Sequence, residues 1–181
     1  MDAMNRVGIG LTGGNNRARQ SQCVCDTLRM VTRVVTQLYD DMLRPSGLRV
    51  TQFSILDAIA QMGEANLKQL EETLAIDQTT LTRSLKLLEE RGRTERVPNP
   101  DGRIKAMKLT LKGRRAVAVA RPLWARAQDK VLREWGAKAW ADTHSRLTHL
   151  LDVAVQRRRS NRGRRPEQAS AATRRRSRMA V

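Results

Sequence analysis

A short polar run near the middle of the chain carries side chains suited to reading nucleic-acid bases. Between Asp77 and Arg91 the apolar residues Leu81, Leu85 and Leu88 recur every three or four positions, which predicts an amphipathic helix capped by Asp77. Its opposite face holds amide, hydroxyl and cationic side chains: Gln78, Thr79, Thr80, Thr82, Arg83 and Lys86. Arginine can pair with guanine, glutamine with adenine, and threonine with several base edges. The pattern therefore predicts a helix that presents base-reading groups to solvent.

The elements around this helix predict a winged helix-turn-helix. A helix capped by Thr51 is followed by a short helix over 67–74, and a tight turn then leads into the polar helix. Alternating residues at 93–97 and 106–110 flank a dense turn signal and predict a β-hairpin. We expect the tip of this wing to meet a minor groove or phosphates through Asn99, Asp101, Arg103 and Lys105.

Long helices are predicted on both sides of this module. From Cys23 to Leu43 the apolar residues trace one face: Val24, Leu28, Val31, Val35, Leu38 and Met42. A helix of this length, about 30 Å, with a single apolar stripe usually packs on another long helix. Two further helices are predicted over 110–134 and 139–155. The predicted fold is mainly α: a winged helix-turn-helix with a small antiparallel β wing, flanked by N- and C-terminal helices.

Charge divides the chain into three segments. The 181 residues carry 35 Lys+Arg and 18 Asp+Glu, a formal net charge of +17, which predicts attraction to a polyanion, either nucleic acid or an anionic membrane surface. Residues 156–181 contain ten arginines and one glutamate and are expected to form a disordered Arg-rich tail. Residues 1–20 are expected to be a flexible leader. The folded domain is expected to span 21–155.

Several functional classes are disfavoured by what the sequence lacks. No apolar run approaches the roughly 20 residues of a membrane span, and the N-terminus lacks the apolar stretch of a secretory signal. We therefore expect a cytoplasmic protein without a membrane partner. The sequence shows no paired carboxylates, no Ser/His/Asp set, no convincing phosphate loop and no cluster of metal ligands. Neither an enzyme nor a cofactor or metal is expected.

Motifs in consecutive order resemble the MarR family of winged-helix regulators. The matching stretches are Gly47-Leu48-Arg49-Val50-Thr51-Gln52-Phe53, Asp77-Gln78-Thr79-Thr80-Leu81-Thr82-Arg83, Leu88-Glu89-Glu90-Arg91-Gly92, Asp101-Gly102-Arg103 and Leu109-Thr110-Leu111-Lys112-Gly113. The resemblance covers roughly 21–155. It implies a winged helix over about 48–113 and dimerisation helices over about 21–45 and 111–155.

The resemblance also implies how the protein acts. It implies a homodimer on a palindromic operator in double-stranded DNA, usually a repressor that a small ligand or an oxidant releases. Residues 77–86 would read the major groove, and Asp101 would hold Arg103 so that it projects into the minor groove. The sequence departs from the family at the start of the wing. Two apolar residues are usual there, whereas this chain has Arg93 and Thr94. This departure predicts either a less well anchored wing strand or an Arg93 that extends toward DNA.

Two switches remain open from the sequence. Cys25 precedes Tyr39 by fourteen residues on the first helix, which resembles the peroxide-sensing branch of the family, where tyrosine hydroxyls hold a thiolate. The alternative inducer is a small aromatic acid in the cleft between the dimerisation helices and the DNA-binding lobe. Its carboxylate would pair with Arg29, Arg33 and Arg49.

A second function class also remains open. An architectural, nucleoid-type DNA-binding protein would coat DNA mainly through its Arg-rich tail, residues 156–181. A regulator would instead keep a strong preference for one operator when the tail is removed. Both alternatives place the protein in the cytoplasm, associated with the nucleoid.

Overall fold

The structure, a computed structural model, describes residues 23–98 and 106–178. The chain contains two units, residues 1–128 and 129–181. The leader at 1–20 and the wing-tip residues Asn99, Asp101, Arg103 and Lys105 lie outside the described residues. None of the helices in the described part of the chain is long and apolar enough to cross a membrane.

The first unit is mostly helical and includes one small sheet. Its elements in chain order are α1 (Val24–Leu43), a 3-10 turn (Arg44–Ser46), α2 (Val50–Met62), β1 (Glu64–Asn66), α3 (Leu67–Leu74), α4 (Gln78–Glu90), β2 (Thr94–Val97), β3 (Ala106–Leu109) and α5 (Leu111–Trp135), which continues into the second unit. This order confirms the mainly α winged helix-turn-helix predicted from the sequence. No pattern in the sequence predicted β1.

The sheet is antiparallel and has the strand order β1-β3-β2. Ala65 of β1 pairs with Met107, and Thr94 of β2 pairs with Leu109. All four of these side chains are buried, so β1 adds a third strand to the hairpin and closes one side of the core. Three residues without a β-branched or aromatic side chain carry no strand signal of their own, which is why β1 was missed.

The core of this unit is built from aliphatic side chains. Those with less than 2% exposure include Leu43, Ile55, Leu56, Ile59, Leu70, Leu81 and Leu88. Residues from α1, α2, α3 and α4 therefore meet in one cluster, and Met107 and Leu109 of β3 join it. The apolar stripe of α4 predicted from the sequence faces this cluster, which leaves the polar face of that helix outward.

The start of α2 differs from the prediction. Arg49, and not Thr51, is the N-cap, with an extended backbone at φ −87° and ψ 156°. The cap comes from a distant residue: Asp40 of α1 accepts a hydrogen bond from the Val50 N–H at 2.7 Å and another from the Arg49 guanidinium at 3.0 Å. Gln52 accepts from the Arg49 N–H at 3.2 Å. Such a long-range cap cannot be read from local sequence.

The second unit contains the end of α5 and the helix α6 (Ala137–Arg178). Gly136, at φ +95°, separates the two helices. The rings of Trp135 and Trp140 lie 5.8 Å apart, and the ring of His144 lies 5.6 Å from that of Trp140. The structure continues α6 through residues 156–178, which differs from the predicted disorder. Arginine, alanine, glutamine and glutamate favour this continuation through their high helix propensity, whereas Gly163 and Pro166 in the same segment oppose it.

Candidate nucleic-acid interface

The helix α4 begins at a well-formed cap. Ala75 takes the left-handed conformation, φ +52°, and ends α3, which turns the chain sharply toward α4. The Asp77 carboxylate then accepts a hydrogen bond from the Thr80 N–H at 3.0 Å. Hydrogen bonds to this carboxylate, first from the Thr80 side chain and second from the Thr80 N–H, lower the pKa of Asp77 below its ordinary value of 3.8. The carboxylate is therefore ionised at neutral pH and stabilises the first turn of the helix.

The outward face of α4 carries the predicted base-reading residues. The side chains of Gln78, Thr79, Thr80, Thr82, Arg83 and Lys86 are all exposed. Since helix positions four apart are neighbours, Gln78, Thr82 and Lys86 form one row, and Thr79 and Arg83 form the adjacent row. Lys86 lies 3.9 Å from Glu90, and both side chains remain more than half exposed. The sequence pattern thus identified a continuous polar surface.

The wing is fixed to α4 by an ion pair that no sequence pattern predicted. The Arg96 guanidinium donates two hydrogen bonds to the Glu89 carboxylate, at 2.9 and 3.1 Å. A second ion pair within the sheet joins Lys108 to Glu95 at 3.5 Å. The predicted tip residues lie outside the described residues, so their placement remains a prediction.

The base of the wing is also tightly bonded. The Thr110 hydroxyl donates to the Gly92 carbonyl at 2.7 Å and accepts from the Gly113 N–H at 3.0 Å. The Arg93 side chain is half-buried, and its Nη2 donates to the carbonyl oxygen of Gly47 at 3.1 Å. Burial lowers the pKa of Arg93 below its ordinary value, with a smaller contribution from Arg91. The guanidinium therefore binds protein, and the strand that follows begins with the buried Thr94. That Arg93 extends toward DNA stays a prediction.

A cavity of about 850 Å³ lies between α3, α4 and the wing strands. Its wall includes Gln78, Thr82 and Lys86 from the polar face of α4, together with Arg96 and Met107 from the wing. A groove between the candidate reading helix and the wing therefore adjoins the surface that would meet DNA. No local sequence signal predicts it, because three separate segments form its walls.

The candidate redox residues are not brought together within one chain. Fourteen helix residues separate Cys25 from Tyr39, which corresponds to about 21 Å along the helix axis. Cys25 is exposed, whereas Tyr39 is buried and its hydroxyl donates a hydrogen bond to Gln128. Burial raises the pKa of Tyr39 above its ordinary value of 10.0.

The candidate ligand arginines are also dispersed. Arg29 and Arg33 are exposed on α1, while Arg49 forms an ion pair with Asp40 at 3.0 Å. A second cavity, of about 750 Å³, lies between α2, α3 and α5, and its wall contains none of these three arginines. Its wall includes Phe53 and Trp124, whose ring centroids are 6.2 Å apart, and the ion pair of Arg121 with Asp57 at 2.8 Å.

Comparison with known proteins gives consistent matches. The MarR family profile matches residues 48–105. The multiple antibiotic resistance protein MarR of Salmonella typhimurium is 32% identical over 123 residues, covering 67% of this chain and 83% of that protein. An uncharacterised HTH-type transcriptional regulator, YwoH of Bacillus subtilis, is 32% identical over 78 residues, 43% of this chain. The chain spans 57% of the length of YwoH in that match.

Solved structures show the same similarity. The M. tuberculosis transcriptional regulator MosR in complex with DNA superposes with a TM-score of 0.68 at 35% identity, covering 74% of this chain and 96% of that one. A cysteine-to-serine mutant of E. coli MarR, complexed with operator DNA, gives a TM-score of 0.64 at 26% identity, covering 70% and 92% of the two chains.

The capped polar helix and the wing bonded to it define a winged helix-turn-helix protein. Together with the relatives above, they show that the chain belongs to the MarR family of transcriptional regulators. Members of this family regulate transcription, so the chain is not an enzyme.

Proposed function

We propose that this chain is a homodimeric repressor that binds a palindromic operator in double-stranded DNA. The observation that carries the proposal is the face of α4, where the base-reading side chains are exposed in two adjacent rows while Leu81, Leu85 and Leu88 are buried. In this proposal α4 lies in the major groove, and Asn99, Asp101, Arg103 and Lys105 meet the adjacent minor groove or phosphates. The repressor acts in the cytoplasm, on the nucleoid.

Operator selection from genomic DNA, followed by substitution of Arg83, tests this proposal. Arg83→Ala is expected to cost about 1–3 kcal/mol of binding at one base position and to relax the preference there. Arg44→Ala, at another exposed arginine, serves as the matched control and should leave the base preference unchanged. An equal loss of affinity on all sequences in Arg83→Ala would contradict the assignment of α4 as the reading helix.

Exposed apolar surface on two helices supports a dimer. Five apolar side chains of α1 are 37–58% exposed: Val24, Met30, Val31, Val34 and Val35. Four apolar side chains of α6 are 37–49% exposed: Leu147, Leu150, Leu151 and Val153. Apolar faces of this extent are typical of protein interfaces. Sedimentation should give a dimer that Val34→Glu dissociates, whereas Thr32→Glu, at an exposed polar position of the same helix, should not. A monomeric wild-type protein would contradict the proposal.

For release by an oxidant, the exposed Cys25 is the proposed sensor. Because Tyr39 binds Gln128 in its own chain, an assisting role for Tyr39 requires that contact to change. Peroxide should lower operator affinity in the wild type and in Cys23→Ser but not in Cys25→Ser. Release that persists in Cys25→Ser would exclude this sensor.

For release by a small aromatic acid, the cavity beside Trp124 offers both an apolar wall and a cation. Its wall is mostly apolar and aromatic, as ligand sites usually are, and Arg121 can exchange the Asp57 carboxylate for that of the ligand. Benzoate titration followed by tryptophan fluorescence tests this site. Arg121→Gln should weaken binding if the acid enters the cavity, whereas Arg29→Gln, Arg33→Gln and Arg49→Gln should weaken it if the acid binds at the arginines predicted from the sequence.

The ten arginines of 156–181 favour one alternative, the architectural DNA-binding protein. A variant that ends at residue 155 separates the two functions. The proposed repressor keeps its operator preference and loses mainly salt-dependent affinity, because phosphate contacts carry that dependence. Loss of nearly all binding in the shortened variant would favour the architectural protein.

A further inference from the structure

Arg93 lies where four parts of the first unit converge. Its backbone N–H donates to the Leu88 carbonyl at the end of α4 at 2.8 Å, and its carbonyl accepts from Thr110, just before α5, at 3.2 Å. The first turn of α5 packs directly on this peptide, since a Cβ at Gly113 would lie 2.0 Å from the Arg93 oxygen. The backbone of Arg93 therefore joins α4, the wing and α5.

The side chain of Arg93 adds a fourth connection. Its Nη2 donates to the carbonyl oxygen of Gly47, in the junction between α1 and α2, at 3.1 Å. The junction is itself braced, because Asp40 of α1 binds both the Val50 N–H and the Arg49 guanidinium. Hydrogen bonds thus connect α1, through the α1–α2 junction and Gly47, to the residue at the start of the wing.

The buried position of the Arg93 side chain disfavours the folded state. Within the described residues, Nε and Nη1 of Arg93 are buried and have no hydrogen-bond partner. Buried N–H groups left unsatisfied disfavour the folded state, and an apolar side chain at this position would avoid the penalty. The resemblance to the family also leads one to expect an apolar residue at this position, so the arginine calls for a functional explanation.

We propose that Arg93 is a positioning residue that fixes the DNA-reading elements, α4 and the wing, relative to the α1–α2 junction. In a dimer, the orientation of α4 relative to the α1–α2 junction sets the distance between the two α4 helices. That distance in turn sets the half-site spacing that the operator must have. The proposal rests on the proposed function, because it requires a dimer on a palindromic site.

Operators whose half-sites are moved apart or together by one base pair provide the test. Each inserted pair displaces a half-site by about 3.4 Å and rotates it around the duplex. Wild type is expected to prefer one spacing over its neighbours by about tenfold, equal to about 1.4 kcal/mol. The Arg93→Leu variant should bind operators with the neighbouring spacings nearly as well as the one with the preferred spacing. Its thermal stability should be unchanged or raised, and its base preference within each half-site should be retained.

Two further variants keep the outcome interpretable. Arg93→Lys retains the charge but loses the guanidinium geometry, so it should also relax the spacing preference if Arg93 acts by position. If Arg93 instead binds phosphates, Arg93→Lys keeps the wild-type spacing profile, and Arg93→Leu loses affinity on every spacing with a shallower salt dependence. That result would overturn the proposal, as would an unchanged spacing profile in both variants. Arg91→Gln, at an exposed neighbour, should behave as wild type.

The two levels of the proposal fail differently. A wild-type protein that is monomeric, or that binds all DNA equally, contradicts the proposed function. A wild-type dimer with a sharp spacing preference that both Arg93 variants retain contradicts the role of Arg93 alone.

Discussion

Arg96 and Glu89 form a two-point ion pair that ties the wing to the C-terminal end of α4. The guanidinium on β2 donates to both carboxylate oxygens on α4, at 2.9 and 3.1 Å. Two parallel hydrogen bonds restrict rotation as well as distance, so this pair fixes the direction in which the strand leaves the helix. It lies on the wall of the cavity between α4 and the wing.

Breaking this pair should affect binding more than folding. Arg96→Gln is expected to change the free energy of unfolding by less than about 1 kcal/mol, because the pair is largely solvent-exposed. Operator affinity should fall further than that, since the wing loses its fixed orientation. Urea denaturation and operator binding measure the two effects, with Lys108→Gln, in the other ion pair of the sheet, as the control. Equal losses of stability and affinity in Arg96→Gln would contradict the orienting role.

The glycine at the start of α5 should be intolerant of a side chain. In Gly113→Ala the new Cβ would lie 2.0 Å from the Arg93 oxygen, which is backbone and cannot simply rotate away. We expect a loss of about 1–3 kcal/mol in the free energy of unfolding, as for other overpacked sites. Chemical denaturation measures it, and Lys112→Ala, one residue earlier and exposed, should be nearly neutral. An unchanged stability in Gly113→Ala would mean that α5 does not pack on this peptide.

The cap at the start of α4 should give the protein an acid-sensitive contribution to stability. Because the pKa of Asp77 is lowered in the folded state, its stabilisation is present above the ordinary value of 3.8 and is lost as the pH falls through the folded-state value. Asp77→Ala should therefore be less stable than wild type at neutral pH, with the difference shrinking in acid. Asp77→Asn keeps the acceptor and should lie between the two, and a gap between wild type and Asp77→Ala that stays constant with pH would count against an ionised cap.

The buried tyrosine of α1 predicts the opposite pH dependence. Tyr39→Phe removes the hydrogen bond to Gln128 and should lower the free energy of unfolding by about 1 kcal/mol at neutral pH. Since burial raises the pKa of Tyr39, wild type should lose this advantage as the pH rises above 10.0 through the folded-state value. Denaturation at neutral and alkaline pH measures both effects. A variant as stable as wild type at neutral pH would show that the hydroxyl contributes nothing.

The parts of the fold that are encoded locally could be predicted from the sequence. The helix α4 was predicted because its leucines recur with the period of a helix and Asp77 supplies a cap, and its polar residues are exposed as expected. The strands β2 and β3 were predicted because alternating residues flank a dense turn signal. Each of these signals lies within one short, continuous stretch of the chain.

The remaining features depend on contacts between residues that are distant in the chain, or on segments whose sequence carries no clear secondary-structure pattern. Asp40 caps α2 from α1, and Arg93 reaches Gly47 from 46 residues away, so neither role has a local pattern. Glu89 and Arg96 are seven residues apart, but their meeting depends on how the chain turns after α4. The cavities form between elements and were likewise missed.

The small sheet has a consequence for solubility. Both of its edge strands are short, with three residues in β1 and four in β2, and β2 presents the exposed charges of Glu95 and Arg96. Strand edges this short offer little backbone for another chain to extend, and charged side chains on an edge strand disfavour such pairing. The strands that the structure describes therefore leave only short edges at which a second chain could add a strand.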